Sequence, residues 1–546
     1  MSSTLASQAE EVRRRAADLA TGLSRTASRS ATIAQERAIL RMLGVDGLDR
    51  AGRPLAASLA ERYCGSNAGR LARGIVLPFV VAMIEYDMPA RDLALDGASG
   101  AIDLALEAEL LARPDRLAGA EAKAGKLLAA AIERFDANRT ATREMRDVLG
   151  MPEEPSLGVS LQAAEVLPAV AETRKVIGDG ADVVQVRVPA SWEFAEARRN
   201  AGLETPGLFV VEAPGQGRDA RRPGRRSRPD RLHPAPPRPA PDPIPAGSQR
   251  GLASLRKAAD DAAARRGCYA SLMTVTSAFA APEQAVVAAF ERVDYVAADP
   301  IREIVEDNVD PDRALADHAF AHRLQARAGS HVVIGPGPLA LGADLASGIP
   351  SDAATRAGRA IALQALGVEL ALADGLPADR LLLGAIPDWS LGDGSAASIL
   401  LQAWLRRAVF PGYRLVVDGP MSWLTSAGGA VALVSAMTGA VASLVLEPAV
   451  PASVSAAHSD LVAAGRTAKA LRASLGDDTL HGDAAALAET TLRTASAVLE
   501  RLAADGWGSL LGPAGRDAEG GRLGGSAVVE RDSGPMSGAR LLAGLV

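Results

Sequence analysis

The chain has 546 residues, of which 48% are hydrophobic and 23% charged, and its formal net charge is −6. This composition allows one large barrel with accessory helices or several smaller domains, and the charge excludes a general attraction to nucleic acid or anionic membranes. Cys64 and Cys268 are far apart in the sequence, which excludes a disulfide scaffold and a cysteine-based metal motif. The first fifteen residues resemble no secretory signal, so we expect a cytoplasmic protein.

Residues 1–157 are predicted to form a helical N-terminal segment. Apolar residues recur at helical spacing over 9–23 and 32–43. Alanine-rich helical runs continue over 102–148. Residues 152–157, which begin with a proline, interrupt the pattern and end the segment.

Residues 158–425 show a different pattern, in which short apolar runs alternate with amphipathic helices. The predicted strands are 183–188, 208–211, 271–275, 295–297, 331–334, 381–386 and 413–417. The predicted helices include 252–266, 283–292, 311–328, 352–372 and 395–409. Such alternation predicts an α/β fold with a parallel sheet, and its length suits a (β/α)₈ TIM-type barrel. An open doubly wound sheet is the alternative, although the glycine-rich loops typical of that fold are absent from the sequence.

Residues 426–546 are predicted to form a helical C-terminal segment with a glycine-rich tail. Helical patterns cover 459–475 and 484–504, and the glycine-rich sequence lies at 519–526. Residues 428–446 are uncharged and nearly long enough to span a bilayer. More than half of them are Gly, Ala, Ser or Thr, and no Lys/Arg cluster flanks them, so a buried helix is favoured over a membrane span.

Residues 216–247 are rich in arginine and proline and contain almost no apolar side chains. A segment of this composition buries too little surface to fold, so we predict a disordered insertion that interrupts the barrel. A basic loop that contacts nucleic acid and the translation of a shifted reading frame in GC-rich DNA are the two alternatives.

The predicted strand at 183–188 carries Arg187 at its exit, and Ser191 follows four residues later. A buried arginine needs a fixed counter-charge. In parallel α/β folds, ligands bind at the carboxyl ends of the strands. Arg187 and Ser191 therefore suggest an anion or phosphate site, with a salt bridge to a neighbouring element as the alternative.

His318 and His322 are spaced to share one helical face, with Asp317 beside them and His331 further along. This pattern is compatible with a metal site. However, the glutamate of a zinc-protease helix is absent between them. A solvated helix face or histidines packed beneath the barrel is the favoured interpretation, and we predict no metal.

Several stretches, taken in order, resemble the large (alpha) subunit of lysine 5,6-aminomutase. The stretch 32–47 is similar to the opening of that family, and 277–294 contains the best ungapped similarity. The remaining landmarks are 180–184 with Arg187, 375–377, 383–384, 410–411, 419–420 and 520–525. They follow the order of the family over nearly the whole chain, so the chain resembles a diverged member.

The resemblance implies the barrel subunit of an isomerase of lysine metabolism, which moves a terminal amino group to the adjacent carbon by a radical mechanism. Pyridoxal 5′-phosphate (PLP) and adenosylcobalamin are the cofactors that it implies. It also implies a heteromer, in which a smaller beta subunit brings the cobalamin-binding Rossmann domain and the lysine that holds PLP. The cobalamin motif Asp-x-His-x-x-Gly is absent from this chain, as it is from a barrel subunit. By the same resemblance, Arg187, Ser191 and Ser277 contact PLP, chiefly its phosphate. No catalytic residue is assigned.

Four positions depart from the family pattern. Arg302 stands where the family has a tyrosine against the PLP ring, and Asp307 replaces a substrate-binding arginine. Gly337 replaces a carboxylate that meets the substrate, and Ser422 replaces a lysine that meets the substrate carboxylate. Two hypotheses follow, an aminomutase subunit acting on a different amino acid and a catalytically silent barrel that binds or scaffolds.

Deletion of residues 216–247 tests the prediction of a disordered insertion. We expect the melting temperature of the deletion variant to stay close to that of the full chain, because a segment without apolar side chains contributes no core. Differential scanning calorimetry measures this directly. A large loss of stability would show that the segment is part of the folded structure.

Overall fold

A computed structural model describes residues 3–65, 67–152, 156–161, 163, 165–187, 193, 248–335, 353–385, 405–406, 408–420, 442–446, 483–509, 523 and 528–534. Three predicted features lie outside the described residues, namely the Arg/Pro-rich segment at 216–247, the strand at 208–211 and the helix at 459–475. The helix predicted at 395–409 lies largely outside them as well.

The N-terminal segment is helical, as predicted, apart from one short strand. Its helices are α1 (Ser3–Ala27), α2 (Ile33–Met42), α3 (Leu55–Cys64), α4 (Ala68–Arg73), α5 (Val76–Glu85), α6 (Ala90–Ser99), α7 (Leu104–Glu107) and α8 (Pro114–Leu149). Strand β1 (Ser30–Thr32) precedes α2, and a 3₁₀ turn covers Ala108–Ala112. Helix α2 begins where the Thr32 side chain accepts a hydrogen bond from the Gln35 backbone N–H at 3.2 Å, which satisfies one exposed donor of the first turn.

Eight parallel strands follow and close into a barrel. They are β2 (Ser156–Ser160), β3 (Val183–Arg187), β4 (Ser271–Val275), β5 (Tyr295–Ala297), β6 (His331–Ile334), β7 (Leu381–Ala385), β8 (Arg414–Pro420) and β9 (Ala442–Leu446). The intervening helices are α9 (Val166–Gly178), α10 (Gln249–Arg266), α11 (Ala281–Phe290), α12 (Pro300–Val305), α13 (Pro311–Ala328) and α14 (Ala353–Ala373), with a 3₁₀ turn at Ala378–Arg380. The predicted (β/α)₈ class is confirmed, and the open-sheet alternative is wrong because β2 pairs with β9.

The barrel differs from its predicted limits at both ends. Strand β2 begins at Ser156, before the limit at 158, and β9 lies beyond the limit at 425. The helix interpretation of 428–446 is therefore wrong for Ala442–Leu446, and 428–441 lies outside the described residues. Two-sided pairing of β9 with β8 and β2 decides this conformation, and such pairing leaves no periodic signal in a run of small residues. No described helix is long and apolar enough to cross a membrane.

Side chains of the barrel strands alternate between an inner and an outer cluster. The inner cluster contains Val183, Met273, Tyr295, Val333, Leu382 and Val416. The outer cluster contains their strand neighbours Val184, Leu272, Val296, Val332, Leu381 and Leu415, which join the surrounding helices. This period of two is the geometry of a pleated strand whose two faces are both buried.

The C-terminal elements pack back onto the N-terminal segment and the barrel. They are α15 (Asp483–Asp505), a 3₁₀ turn at Trp507–Ser509, and β10 (Val528–Glu530), which pairs antiparallel with β1. Gly358 lets α14 approach α15 closely, because a Cβ there would lie 2.6 Å from Cβ of Thr494. The described residues 483–509 and 528–534 therefore belong to the folded unit.

A buried carboxylate ties the amino ends of β4 and β5 together. Asp294 accepts hydrogen bonds from the Tyr269 hydroxyl at 2.7 Å and from the Leu272 backbone N–H at 2.8 Å. Arg146 and Arg256 pair with the same carboxylate at 2.6 Å and 3.1 Å. Helices α8 and α10 are thereby fixed to the amino-end face of the barrel.

Replacement of Asp294 by alanine should destabilise the protein by about 3–5 kcal/mol, because Arg146 loses the carboxylate with which it pairs, the buried Arg256 keeps only Asp260, and two further donors lose an acceptor. Urea unfolding followed by circular dichroism measures the change. Asp261→Ala, at an exposed position of α10, is the control and should stay within about 0.5 kcal/mol of wild type. Equal effects of the two substitutions would contradict a central role for Asp294.

Candidate functional site

Two of the three residues predicted to bind PLP lie on adjacent strand ends. Arg187 is the last residue of β3, and its Cα pairs with Val275, the last residue of β4. Ser277 follows Val275 by two residues, so both positions are at the carboxyl-end face of the barrel. Ser191 lies outside the described residues.

Ser277 is held in a defined loop by the first turn of α11. Its backbone N–H donates to Oε1 of Gln284 at 3.2 Å, and Nε2 of Gln284 donates to its hydroxyl oxygen at 3.4 Å. The loop therefore places a half-buried hydroxyl group beside the end of β3.

A buried cluster of charged residues fastens the loops that follow β3 and β4. Arg37 of α2 pairs with Glu193 at 2.5 Å and also donates to the backbone carbonyl of Phe279. Arg313 of α13 contacts both carboxylate oxygens of Glu193 at 3.2 Å. Glu193 follows β3 in the chain and Phe279 follows β4, so a single guanidinium connects the two loops.

The cluster is electrostatically balanced. Burial alone would favour neutral Glu193, but Arg313 and Arg37 outweigh it and lower the pKa of Glu193 to about 2. Glu283 is the second carboxylate, and it pairs with Arg37 at 3.4 Å and with Arg41. Its pKa is also lowered, because the two arginines overcome the effect of burial. Each buried cation thus has a fixed counter-charge.

Phe279 has a backbone conformation that few residues other than glycine adopt. Its φ is 64°, in the left-handed region. The Arg37 hydrogen bond to its carbonyl and the Arg313 guanidinium 4.8 Å from its ring centroid hold it there. Local strain maintained by surrounding contacts is a feature of ligand-binding loops.

The region after β5 is rich in carboxyl groups and contains two of the departing positions. Asp299 caps α12 by accepting from the Ile301 N–H at 2.9 Å, and burial raises its pKa to about 6. Burial also raises the pKa of Glu303 well above its usual value, and that of Glu306 to about 7.

Arg302 pairs with Glu306 at 3.4 Å within the same stretch of chain. Asp307 is half-buried beside this acidic group. Gly337 and Ser422 lie outside the described residues.

With pKa values of about 6 and about 7, Asp299 and Glu306 exchange protons near neutral pH, and each favours a cation as neighbour when it is ionised. We call Asp299, Glu303, Glu306 and Asp307 the acidic group. It occupies the carboxyl-end face next to β5, on the same side of the barrel as Arg187 and Ser277.

His318 and His322 are buried on α13 and pair separately with carboxylates. Nε2 of His318 lies 3.0 Å from Glu303, and Nδ1 of His322 lies 2.8 Å from Asp374. Burial lowers the pKa of His318 to about 4. The histidines are packed rather than solvated, and Asp317 pairs with Arg313 at 2.8 Å. Within the described part of the chain, no group of His, Cys, Asp and Glu could hold a metal ion.

Sequence reasoning missed the cluster around Glu193. Arg37 and Arg41 were visible as charged residues within an apolar helical stretch, which was the available signal. Their partners Glu193 and Glu283 lie 156 and 242 residues away in the sequence, and no spacing rule relates residues at such separations.

The model of one protein family matches residues 5–191 and 247–444. That family is described as the D-lysine 5,6-aminomutase TIM-barrel domain of the alpha subunit. The chain belongs to this family. The predicted resemblance is confirmed, and the matched region extends to residue 444, which includes most of β9. The interval between the two matched parts contains nearly all of the Arg/Pro-rich segment.

Curated relatives are similar at low identity. The lysine 5,6-aminomutase alpha subunit of Fusobacterium nucleatum is 23% identical over 403 residues, which cover 72% of this chain and 67% of the relative. The same subunit of Acetoanaerobium sticklandii is 22% identical over 418 residues, covering 76% and 71%. A dihydropteroate synthase structure from Yersinia pestis has 14% identity and a TM-score of 0.34, covering 59% of this chain and 95% of that one. A TM-score this low supports no assignment.

Glu193→Gln should destabilise the protein by about 3 kcal/mol at pH 7. The substitution removes a carboxyl group whose pKa is about 2 in the folded protein and near 4.3 in the unfolded chain. A lowered native pKa stabilises above the unfolded pKa, and this contribution is lost as the pH falls toward 2. The difference between variant and wild type should therefore shrink by more than half between pH 7 and pH 3, as measured by urea unfolding.

Glu144→Gln, an exposed glutamate of α8, is the matched control. It should show neither the destabilisation nor the pH dependence. A Glu193→Gln effect that is constant over this pH range would show that Glu193 contributes through packing and not through its charge.

Proposed function

We propose that this protein is the barrel subunit of a PLP- and adenosylcobalamin-dependent aminomutase, which moves a terminal amino group to the adjacent carbon of an amino acid. The observation that carries the proposal is the placement of Arg187 and Ser277 on adjacent strand ends, in a chain that belongs to the aminomutase family. PLP would stabilise negative charge or an unpaired electron at the reacting nitrogen, and adenosylcobalamin would supply the radical.

The residues at the carboxyl-end face fit the phosphate of PLP. An arginine at the end of one strand and a hydroxyl donor after the next are the groups that hold phosphate oxygens in proteins. Gln284 orients the Ser277 loop, while Arg37 holds the loops after β3 and β4. We propose that Ser191 completes this set. The chain's own contribution is to bind and orient the phosphate end.

A partner subunit would supply the lysine that binds PLP and the cobalamin-binding domain. Both relatives are named alpha subunits, which supports the need for such a partner. Four of the five lysines of this chain lie on helices, namely Lys123, Lys126, Lys175 and Lys257, and Lys469 lies outside the described residues. None of the four described lysines therefore lies on a barrel strand or in the loop that directly follows one.

The acidic group supports a substrate that does not bind in the way the family binds free lysine. A substrate carboxylate would meet like charges where the resemblance places a substrate-binding arginine, whereas an ammonium group would be attracted. We therefore propose an amino-acid substrate that presents a cationic group to this region. The same observation favours the second candidate, a silent barrel that binds or scaffolds, because Arg302 is already paired with Glu306.

Arg187→Ala should weaken PLP binding to the complex of this chain with its partner by ~1.5–3 kcal/mol, the range for hydrogen bonds to charged groups. Ser277→Ala should cost less, about 0.5–1.5 kcal/mol, because it removes a neutral donor. Fluorescence titration with PLP measures both affinities. Arg265→Ala, at an exposed position of α10, is the control and should bind PLP as wild type does.

Unchanged affinity of Arg187→Ala would show that the arginine is a structural ion pair. Absence of PLP binding by the complex would favour the silent barrel. Turnover of a diamino acid by the complex, assayed with and without adenosylcobalamin, separates an active aminomutase from a barrel that only binds PLP.

A further inference from the structure

A cavity of about 230 Å³ opens at the amino-end face of the barrel, opposite the site proposed above. Val293 and Asp294 precede β5, Ser330 precedes β6 and Arg380 precedes β7, and all four line it. The other wall is the C-terminal half of α8. The cavity thus lies between the long N-terminal helix and three consecutive strand starts.

Arginine dominates the lining. The described lining residues include five arginines and only two aspartates, namely Arg139, Arg143, Arg146, Arg292 and Arg380 against Asp147 and Asp294. Two of these arginines are neutralised by buried or half-buried carboxylates, since Arg146 pairs with Asp294 and Arg292 with Asp260. The excess positive charge therefore resides mainly on the other three.

Two of those three arginines are fixed by neutral backbone carbonyls. Arg380 donates to the carbonyl of Gly329 at 2.8 Å, and Arg139 donates to the carbonyl of Arg327 at 3.1 Å. Both acceptors lie at the C-terminal end of α13. Gly329 also makes room, because a Cβ there would lie 2.9 Å from Cδ of Arg139. A carbonyl orients a guanidinium without cancelling its full charge.

Neighbouring groups respond to this positive charge. Burial together with Arg146, Arg143 and Arg139 lowers the pKa of Arg380, against the opposing effect of Asp379. Burial together with Arg380 and Arg146 also lowers the pKa of His331, to about 4. Asp136 is the nearest counter-charge for Arg139 at 3.3 Å, and it is shared with Arg327. Asp379 lies 4.0 Å from Arg380, and Asp147 also lines the cavity, so the positive charge of the lining is compensated in part.

We propose that this cavity binds a small phosphate-type anion of the size of pyrophosphate. Guanidinium groups pair with phosphate oxygens in a planar, bidentate geometry, and orientation before binding reduces the entropic cost. A volume of about 230 Å³ holds roughly seven water molecules at ~30 Å³ each, which is more than one phosphate group needs. A bound anion would contact both α8 and the starts of three strands, and it would therefore hold this helix against the barrel.

Isothermal titration calorimetry of the full chain with inorganic pyrophosphate at constant ionic strength tests the proposal. Saturable binding is expected, and Arg139→Gln combined with Arg143→Gln should weaken it at least ~tenfold, because the two substitutions remove charge-assisted hydrogen bonds to the anion. Lys123→Gln combined with Lys126→Gln removes the same charge from the same helix outside the cavity, and should leave the affinity unchanged. Melting temperatures confirm that all variants fold.

Ser277→Ala separates this cavity from the PLP phosphate site on the opposite face. Pyrophosphate affinity that is unchanged by Ser277→Ala and lowered by the double arginine variant supports the proposal. Absence of saturable binding overturns it. Equal losses of affinity in the double arginine and double lysine variants would indicate general charge attraction and would also overturn it. A loss of affinity in Ser277→Ala alone would place the anion on the other face and would overturn it as well. Single Arg380→Gln provides a second variant, with the same expected direction.

Discussion

The buried contact between Arg37 and Glu193 is the constraint on which the carboxyl-end face depends. Arg37 belongs to the N-terminal helical segment, whereas Glu193 and Phe279 belong to loops that follow two adjacent barrel strands. A single ion pair with a backbone hydrogen bond thus sets the relative position of three distant parts of the chain. Removing Glu193 would leave Arg37 with Glu283 alone and would remove one counter-charge of Arg313, so this contact stabilises the loops and α2 together. The helical segment is therefore part of the proposed site and not an appendage of the barrel.

The two faces of the barrel differ in charge, and the difference follows from which residues stand at strand starts and strand ends. Arginines from α8 and from the start of β7 accumulate at the amino-end face, where carbonyls of α13 hold two of them. At the carboxyl-end face, the stretch after β5 carries Asp299, Glu303 and Glu306, whose pKa values are raised by burial. Charged side chains of opposite sign are therefore concentrated at the two faces, arginines at the amino-end face and carboxyl groups after β5 at the carboxyl-end face.

Sequence reasoning succeeds where structure is decided locally. Helix α13 was predicted with its observed bounds, because Asp310 and Pro311 begin it and Gly329 ends it through a left-handed φ of 76°. Strand β9 was not predicted, because its conformation depends on pairing with β8 and β2. Within the candidate site, Arg187 was identified by strand position and by family resemblance, and Ser277 by resemblance alone. The structure places Arg187 at the end of β3 and Ser277 two residues after the end of β4. Glu193 was missed because its partners are distant in sequence, and long-range ion pairs have no spacing rule.

The departing positions show how one end of the site can change while the other is kept. Arg302 is matched by Glu306 four residues later on the same stretch of chain, so its charge needs no ligand. Glu303 shares a hydrogen bond with His318, which holds that carboxyl within the protein. These exchanges are compensated by neighbours near α12 and α13, and they do not involve the Ser277 loop, which Gln284 and Arg37 hold. The described departing positions, Arg302 and Asp307, therefore lie in the stretch around α12, whereas Ser277 is held by Gln284 of a different helix.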